Sequence, residues 1–327
     1  MPAKMKPTIL LTGKTGQLGS ELNRLLPKLA EVIAPERKEL DLREPKKIRQ
    51  VILDAQPQLV VNAAAYTGVD AAETDEANAL AVNAEAPRLL ALEAKKIGAV
   101  LIHFSTDYIF DGSKKAPYVE SDSPNPLNAY GRTKLAGEQA IRDSGAAHMI
   151  FRTSWVYAAH GRNFLRTILR LATEREELKI VGDQVGAPTC AFDLAEATTR
   201  IVAGIIAAPR SGLACQQVAG TYHMSAAGQT TWYEFAKAIL EEAGHGAQSL
   251  SWLTSATNGR PLIARRVLAI STEEFRSPTR RPAYSVLSNE RLKQAFGVTL
   301  PDWRSQLRSC FAPERALFNP PADFSPR

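Results

Sequence analysis

The chain has 327 residues, 45% of them hydrophobic, and a formal net charge of +6. Its length predicts two lobes, or one large domain with an elaboration, and its composition is typical of a soluble globular protein. The positive charge suits an anionic small-molecule substrate, whereas the scatter of the basic residues argues against nucleic-acid binding. No stretch approaches the ~18 apolar residues of a membrane span, and no signal-peptide pattern precedes the first strand, so we expect a cytoplasmic protein.

The cysteines are sparse and lie far apart, at Cys190, Cys215 and Cys310. They form no Cys-x-x-Cys pair, and no histidine stands at metal-ligand spacing from any of them. A small, odd number of cysteines suits a reducing compartment. We therefore expect thiols without a catalytic or metal-binding role.

The first predicted element is a buried strand at Thr8–Thr12, a short apolar and β-branched run. Glycines follow it at Gly13, Gly16 and Gly19, before a helical pattern over residues 20–29. Residues without a β-carbon let a turn of this kind bring its backbone close to a pyrophosphate at a helix N-terminus. The position between a strand and a helix makes this pattern indicate a dinucleotide-binding turn.

Charged residues follow the second predicted strand, at residues 31–34. An acid about 20 residues past the glycines selects the ribose of NAD, whereas a base suits the phosphate of NADP. Glu36, Arg37 and Lys38 fall there together. The basic pair favours NADPH, with NADH tolerated.

Small residues follow the third predicted strand, at residues 58–62, in the run Ala63, Ala64 and Ala65. Small side chains at the carboxyl end of a parallel strand let a cofactor lie close to the sheet. Upstream of this strand, Asp41 stands where an acid lies near the adenine, and it is also placed to cap a helix that begins at Pro45.

A long helix is predicted over residues 77–97, followed by a buried strand over residues 99–105. Thr106 follows this strand, so its hydroxyl faces the same crevice and is placed to bond a substrate oxygen or the Tyr130 hydroxyl. His103 lies inside the strand, and the simplest interpretation is a buried residue of the sheet.

Tyr130 and Lys134 are the most informative pair in the sequence. If residues 128–142 form a helix, side chains four apart project from one face. A phenol normally titrates near ~10, and a nearby positive charge lowers that value. The pair would then donate a proton to a developing alkoxide or take one from an alcohol.

The alternating strand and helix pattern breaks after Trp155. We predict a doubly wound parallel α/β sheet of the Rossmann type at residues 1–155, to which later segments are free to return. A smaller substrate-binding lobe is predicted over residues 156–312, including a basic, loop-rich stretch at residues 259–279. The proline-rich tail at residues 313–327 is predicted to be disordered.

The whole set of motifs resembles the extended short-chain dehydrogenase/reductases and, within them, the dTDP-4-dehydrorhamnose reductase family. The similarity extends over most of residues 9–236 and returns near Pro282. The matching stretches are GKTGQLG, VNAAAYT, FSTDYIFDG, PLNAYGRTKLAGE, FRTSWVYA, DQVGAPT and, more weakly, TTWYEFA and RRPAYSVL.

This resemblance implies an NADPH-dependent reduction of the C4 ketone of dTDP-4-dehydro-L-rhamnose to dTDP-L-rhamnose. Tyr130 would protonate the C4 oxygen, Lys134 would lower the Tyr130 pKa and bind the nicotinamide ribose, and Thr106 would hydrogen-bond at the reacting centre. The nucleotide sugar would contact Thr106, Asp107 and Trp155. With the residues argued above, the expected cofactor-binding set is Gly13, Gly16, Gln17, Leu18, Gly19, Arg37, Asp41, Leu42, Ala63, Ala64, Ala65, Tyr130 and Lys134.

The resemblance leaves magnesium and the oligomeric state open. Some members of the family form dimers through magnesium held by glutamates, and Glu21 occupies one such position. Phe192 stands where another acid is found, with Asp193 one place along. We expect a monomer or a homodimer and no metal in the catalytic site.

Two other interpretations stay open. The scaffold also suits another nucleotide-sugar epimerase, dehydratase or reductase, and a non-catalytic regulatory subunit that binds NADP. Dehydratases of the superfamily place an Asp-Glu pair after the Ser or Thr, whereas here Thr106 is followed by Asp107 and Tyr108, which favours a reductase.

Overall fold

A parallel sheet organises the molecule. The computed structural model describes residues 6–207, 219–244 and 250–312. In chain order the strands are β1 (Thr8–Thr12), β2 (Glu31–Ile33), β3 (Leu59–Asn62), β4 (Val100–Thr106), β5 (His148–Thr153), β6 (Val156–Tyr157), β7 (Glu177–Val181), β8 (Val185–Gly186), β9 (Thr189–Cys190), β10 (Gly220–His223), β11 (Thr230–Thr231) and β12 (Arg266–Ile270). The main sheet has six strands in the order β10-β5-β4-β3-β1-β2, all paired in parallel.

Helices cover both faces of this sheet and build most of the second lobe. In chain order they are α1 (Gln17–Leu25), α2 (Pro45–Ala55), α3 (Val69–Ala72), α4 (Glu76–Leu80), α5 (Ala86–Lys96), α6 (Ala129–Ser144), α7 (Phe164–Ala172), α8 (Ala191–Ala207), α9 (Trp232–Gly244), α10 (Ser251–Thr257), α11 (Thr272–Phe275), α12 (Glu290–Phe296) and α13 (Trp303–Cys310). Within the described ranges, none of them has the length and apolarity that crossing a membrane requires.

The predicted doubly wound sheet is confirmed. Successive residues of a strand face opposite sides, so Ile9 and Leu11 contact the core beneath α1, α8 and α12, whereas Leu10 contacts the core beneath α2, α5 and α6. Helices on both faces bury residues 9–12 of β1, which explains the apolar run at its centre.

A second hydrophobic core lies in the C-terminal half, between α7, α9, α10, α13 and strand β7. Three elements after Trp155 nevertheless belong to the first lobe, because β10 pairs with β5, α8 packs on α1, and α12 packs in the same core. The lobes are therefore interleaved along the chain. The predicted disordered tail and Cys215 lie outside the described residues, so the prediction made for each stays a prediction.

The helix predicted at residues 77–97 is interrupted. A π-helical turn at Ala81–Glu85 joins α4 to α5. The side-chain amide of Asn83 in this turn is buried. Its oxygen accepts from the Tyr66 backbone N–H at 2.8 Å, and its nitrogen donates to the Tyr66 carbonyl oxygen at 3.0 Å and to the Thr133 hydroxyl at 3.1 Å. A local widening of the helix therefore serves a buried amide.

Other element boundaries differ from the sequence expectations. The first helix begins at Gln17, because the glycine turn is tighter than the pattern suggested. The stretch at residues 259–279 is not only a loop, since β12 pairs with β7 along its whole length and α11 follows it. That pairing is between distant segments, which local sequence patterns do not reveal.

Helix α6 packs closely against the π-helical turn and against the turn that follows β4, because two glycines remove side chains from its contact face. A β-carbon at Gly137 would stand 2.0 Å from the Asn83 carbonyl oxygen, and one at Gly131 would stand 2.2 Å from the Tyr108 carbonyl oxygen. The Asn128 side chain caps the helix by accepting from the Gly131 N–H at 2.8 Å. Backbone contact at both positions fixes the depth of α6.

We predict that Gly137→Ala lowers the free energy of unfolding by about 2 kcal/mol or more, because the added methyl group meets backbone that has no room to move. Gly244→Ala is the matched control, since a β-carbon at this helical position would have no atom within 4 Å. Urea denaturation measures both variants, and equal midpoints for the two would contradict the packing described for α6.

Candidate active site

A cavity of about 1080 Å³ opens at the carboxyl ends of the parallel strands. It lies where the strand order reverses, since β2 and β3 flank β1 on opposite sides. Open α/β sheets bind ligands at such a switch point. Residues of the second lobe, from α7 and β7 among others, form the opposite wall.

The glycine turn is packed too tightly for side chains. Gly13 has a φ of +78°, and a β-carbon there would lie 2.7 Å from the Ala64 backbone nitrogen. A β-carbon at Gly19 would lie 2.0 Å from the Gly13 carbonyl oxygen. The Gly16 N–H donates to that same oxygen at 2.9 Å, and α1 begins at the next residue, Gln17. Bare backbone and the N-terminus of α1 therefore face the cavity.

Charged residues after β2 surround the same end of the cavity. The Asp41 carboxylate accepts from the Arg43 guanidinium at 2.6 Å, and this interaction holds the pKa of Asp41 well below its usual range. Arg37 lines the cavity and lies 3.9 Å from Asp41. The capping role expected for Asp41 is wrong, because Glu44 stands at the N-cap of α2 and the Asp41 side chain turns to Arg43.

Thr106, Tyr130 and Lys134 line one part of the cavity. Thr106 ends β4, and its hydroxyl accepts from the Tyr108 N–H at 3.2 Å and donates to Asp107 at 3.1 Å. Desolvation raises the pKa of Tyr130 to about 12, although the Thr106 side chain opposes this shift. The phenol is therefore protonated at neutral pH, which suits a proton donor.

Lys134 is buried, with 1% of its surface exposed. Its ammonium nitrogen donates to the Phe104 carbonyl oxygen at 2.6 Å and lies 3.1 Å from Nε2 of His103. Burial lowers the pKa of Lys134 to about 8, whereas the charge of Glu138 opposes this shift. The pKa of Tyr130 is raised rather than lowered, because desolvation of the phenol, to which the charge of Asp107 adds, is the main influence on it.

Asp107 is a buried carboxylate next to this group. Its Oδ2 atom is enclosed and accepts no hydrogen bond from the described residues. Burial raises the pKa of Asp107 to about 7, and neighbouring hydroxyl groups partly offset the shift. Asp107 lines the cavity, and its Oδ2 atom lacks the hydrogen-bond partner that buried polar atoms usually have.

Trp155 has a strained backbone, with a φ of +47°. Its indole stacks on that of Trp232, with ring centroids 3.5 Å apart and planes 5° from parallel. Gly186 makes room for it, because a β-carbon there would lie 2.4 Å from Cε2 of Trp155. The strain holds a flat aromatic wall in the cavity, and strained residues of this kind cluster at ligand sites.

The structure brings nearly all predicted site residues to one cavity. Gly19 is the exception, since it is buried behind the turn and lets α1 approach Gly13. The predicted residues that line the cavity are Gly13, Gly16, Gln17, Leu18, Arg37, Asp41, Leu42, Ala63, Ala64, Ala65, Thr106, Asp107, Tyr130, Lys134 and Trp155. Their placement does not test the roles assigned to them, which stay predictions.

Comparison with known proteins agrees with this geometry. The family model described as the RmlD substrate binding domain matches residues 5–316. The chain belongs to the RmlD family. Among curated RmlD relatives, the dTDP-4-dehydrorhamnose reductase of Burkholderia thailandensis is 49% identical over 302 residues, which cover 92% of this chain and 97% of that protein.

Further RmlD relatives extend the similarity. The dTDP-4-dehydrorhamnose reductase of Escherichia coli K12 is 43% identical over 300 residues, covering 90% of this chain and 94% of that protein. The crystal structure of dTDP-4-dehydrorhamnose reductase from Bacillus anthracis in complex with NADP is 34% identical, with a TM-score of 0.80, and covers 94% of this chain and 99% of that chain. The fold therefore matches over almost the whole length.

Several residues that line the cavity of this RmlD chain were not predicted from the sequence. Exposed cations from the second lobe line the cavity at Arg162, Arg175 and Lys179, and none of them forms an ion pair within the described ranges. Trp232 lies in the weakly matching stretch TTWYEFA, which gave the one usable signal. The cations stand in segments with no motif, so only the fold brings them together.

Glu21, one of the positions considered for magnesium, is bound within the chain. The Glu21 carboxylate accepts from Arg24 at 2.8 Å, and the Arg24 guanidinium lies over the Phe192 ring. No group of three or more potential ligand side chains that could hold a metal ion occurs in the part of the chain that the structure describes. The expectations for magnesium and for the oligomeric state stay predictions.

We predict that Asp107→Asn gains stability relative to the wild type as the pH rises. An unfolded aspartate titrates near ~3.9, whereas the folded pKa of Asp107 is raised to about 7. Between these values the folded chain binds a proton that the unfolded chain lacks, so wild-type stability falls with rising pH. The difference between variant and wild type should grow by about 2 kcal/mol from about pH 5.5 to about pH 8.5.

Chemical denaturation at the two pH values measures this difference. Asp111→Asn is the control, because hydrogen bonds to Ser113 and Asn125 lower the pKa of Asp111 to about 2. Both its folded and unfolded carboxylates are ionised across that pH range, so its difference from the wild type should stay constant. A constant difference for Asp107→Asn as well would show that Asp107 is ionised throughout.

Proposed function

We propose that this chain catalyses the NADPH-dependent reduction of the C4 ketone of dTDP-4-dehydro-L-rhamnose, which gives dTDP-L-rhamnose. The observation that carries the proposal is the meeting of Tyr130, Lys134 and Thr106 with the glycine turn in one cavity. The similar proteins named dTDP-4-dehydrorhamnose reductase support the substrate and the reaction.

The cavity fits a nicotinamide dinucleotide. Backbone of Gly13 and Gly16 lines the cavity beside the N-terminus of α1, which favours an anionic pyrophosphate. The Bacillus anthracis protein is described as a complex with NADP, and we assign the same cofactor here. Arg37 would bind the 2′-phosphate, and Asp41 with the Ala63–Ala65 run would line the adenosine. The dinucleotide, when bound, supplies the hydride.

The chain's own contribution is one proton and fixed geometry. Reduction of a ketone leaves negative charge on its oxygen, and Tyr130, which is protonated at neutral pH, donates to that oxygen. Thr106 holds the oxygen beside the phenol, and the Lys134 ammonium stabilises the phenolate that remains. Positioning and one acid suffice, so no metal or covalent intermediate is required.

The second lobe would bind the rest of the substrate. Trp155 and Trp232 form a flat apolar wall, and the enclosed Oδ2 of Asp107 would accept from a sugar hydroxyl. The exposed cations Arg175 and Lys179 would bind the diphosphate, because no ion pair in the described ranges neutralises them.

We also infer that the two lobes bind different ligands. Residues 1–155, with β10 and α8, would bind the cofactor, and most of residues 156–312 would bind the nucleotide sugar. A cytoplasmic monomer or homodimer is consistent with this role and remains part of the proposal. Surface cations such as Lys47, Arg88 and Lys96 are paired with glutamates, so we propose no nucleic-acid partner.

We predict that the purified chain oxidises NADPH with dTDP-4-dehydro-L-rhamnose, and that Tyr130→Phe lowers kcat by about 10²-fold or more, since general acids contribute that much. NADPH binding should be nearly unchanged, because the ring is kept. Tyr66→Phe is the control, because its hydroxyl is bonded to Asp75 and not to the Thr106 group.

Absorbance of NADPH follows turnover, and its fluorescence follows binding. Undiminished kcat in Tyr130→Phe would contradict the catalytic role, whereas equal losses in both tyrosine variants would indicate a general packing effect. A wild type that reduces another 4-keto sugar faster than dTDP-4-dehydro-L-rhamnose would refute the proposed substrate.

We predict that Arg37→Ala weakens binding of NADPH about tenfold or more and leaves NADH binding nearly unchanged, because only NADPH has the 2′-phosphate. Lys38→Ala is the matched control. Both side chains are 76% exposed and both variants remove one positive charge, but only Arg37 lines the cavity. Fluorescence titration at fixed ionic strength measures all four affinities, and equal losses for the two cofactors would remove Arg37 from phosphate recognition.

A further inference from the structure

A row of polar side chains crosses the buried centre of the sheet. Thr12, Asn62 and His103 stand in register on the neighbouring strands β1, β3 and β4, and each is 2% exposed or less. The Thr12 hydroxyl oxygen lies 2.6 Å from one end of the Asn62 amide, and the other end of that amide lies 3.0 Å from His103 Nδ1. The chain of contacts ends at Lys134, 3.1 Å from His103 Nε2.

The neighbours of the Lys134 ammonium are neutral. Its hydrogen-bond partners are the His103 ring and the Phe104 carbonyl oxygen, and no carboxylate forms an ion pair with it in the described ranges. Glu138, one helical turn away, is already bound by Arg152 at 2.7 Å and by Arg142 at 3.1 Å. The positive charge of Lys134 is therefore held in place without being cancelled.

We propose that His103 is a positioning residue for the reaction: its neutral imidazole, oriented by Asn62 and Thr12, holds the Lys134 ammonium beside Tyr130. The inference rests on the proposed function and deepens it. It adds a residue that touches neither substrate nor cofactor in the argument above and acts through Lys134.

The chemistry explains why an imidazole serves here. A carboxylate in the same position would pair with Lys134 and weaken its effect on the Tyr130 phenolate, whereas an apolar side chain would leave the ammonium short of an acceptor. Burial and the charge of Lys134 both lower the pKa of His103 well below its usual value, so the ring stays neutral. A neutral ring accepts through only one nitrogen, so when Lys134 donates to Nε2 the Nδ1–H donates to the Asn62 amide oxygen, and the amide nitrogen donates to the Thr12 hydroxyl.

The pH dependence of Lys134 is set by few groups. Three of the groups that face Lys134 or act on its immediate partners lie on α6, namely Tyr130, Glu138 and Arg142. The others are His103 on β4, Arg152 on β5, and Asp107, which acts on Tyr130. Arg142 and Arg152 are both bound to Glu138. His103 is the one neutral titratable ring among them that contacts the ammonium. Its removal should therefore change the titration of the Tyr130–Lys134 pair.

The test compares His103→Leu with His103→Gln. Leucine removes the acceptor, so the charged form of Lys134 becomes less favourable, and the alkaline limb of the kcat profile should move down by about one pH unit. Glutamine is neutral and keeps an acceptor, so it should restore most of the wild-type profile. The pH at which NADPH affinity falls, measured by fluorescence without any sugar, should shift in the same way.

Ser105→Ala is the control for sheet packing. Ser105 lies two residues along β4, is buried on the same face and donates to Glu138 on α6 at 2.6 Å, but does not contact Lys134. Its alkaline limb should stay at the wild-type position. Should His103→Leu fail to fold, as judged by thermal melting, Asn62→Val removes the partner that orients the ring and should give a smaller shift in the same direction.

The outcomes separate this inference from the function on which it rests. Identical alkaline limbs in wild type, His103→Leu and Asn62→Val would overturn it, as would equal shifts in the leucine and glutamine variants, which would indicate packing alone. If the wild type reduces the sugar and the variants keep its pH profile, the reductase function stands and only the positioning role of His103 is refuted. A wild type that binds no dinucleotide overturns both.

Discussion

The position of one buried ammonium organises this molecule. Lys134 is tied to the backbone of β4 and to a neutral ring on the same strand, so α6 must lie at a fixed depth and rotation against the sheet. Bare backbone at Gly131 and Gly137 makes that depth accessible, because any β-carbon there would meet a carbonyl oxygen. Burying a charge without a countercharge costs free energy, and such buried charges are common at functional sites, where they act on a reacting group. The same contacts place Tyr130 at the carboxyl end of β4.

The topology of the sheet brings the other parts of the site together. Parallel strands end at one edge, so the turn after β1, the alanines after β3 and Thr106 at the end of β4 share a cavity. The second lobe closes the opposite side with the Trp155–Trp232 stack and with exposed cations. One wall is therefore backbone and small side chains, and the other is aromatic and basic. This asymmetry suits a dinucleotide on one side and an anionic sugar nucleotide on the other.

Local patterns in the sequence were sufficient for the sheet and for the placement of Tyr130 and Lys134 on one helix. The strand at Thr8–Thr12, the glycine turn and the Tyr130–Lys134 spacing each depend on neighbours in sequence, and the structure contains all three. Features that depend on distant segments were missed. The β7–β12 pairing joins residues almost ninety positions apart, and the π-helical turn accommodates the buried amide of Asn83. The sequence predicts His103 only as a buried strand residue, although it contacts Lys134. Periodicity shows that His103 is buried, but only the register of β1, β3 and β4 shows what it contacts. The balance of burial against charge at Tyr130 was likewise beyond the sequence, because desolvation is a property of the folded cavity.

The most direct test of the account is a crystal structure of the chain with oxidised dinucleotide and dTDP-L-rhamnose bound. The account predicts that the Tyr130 phenol and the Thr106 hydroxyl both lie within hydrogen-bond distance of the C4 hydroxyl of the sugar, at roughly 2.6–3.2 Å. It also predicts that the Lys134 ammonium keeps its contacts with His103 and with the Phe104 carbonyl oxygen. A sugar whose C4 hydroxyl is bound elsewhere, or a Lys134 turned away to pair with a carboxylate, would contradict it.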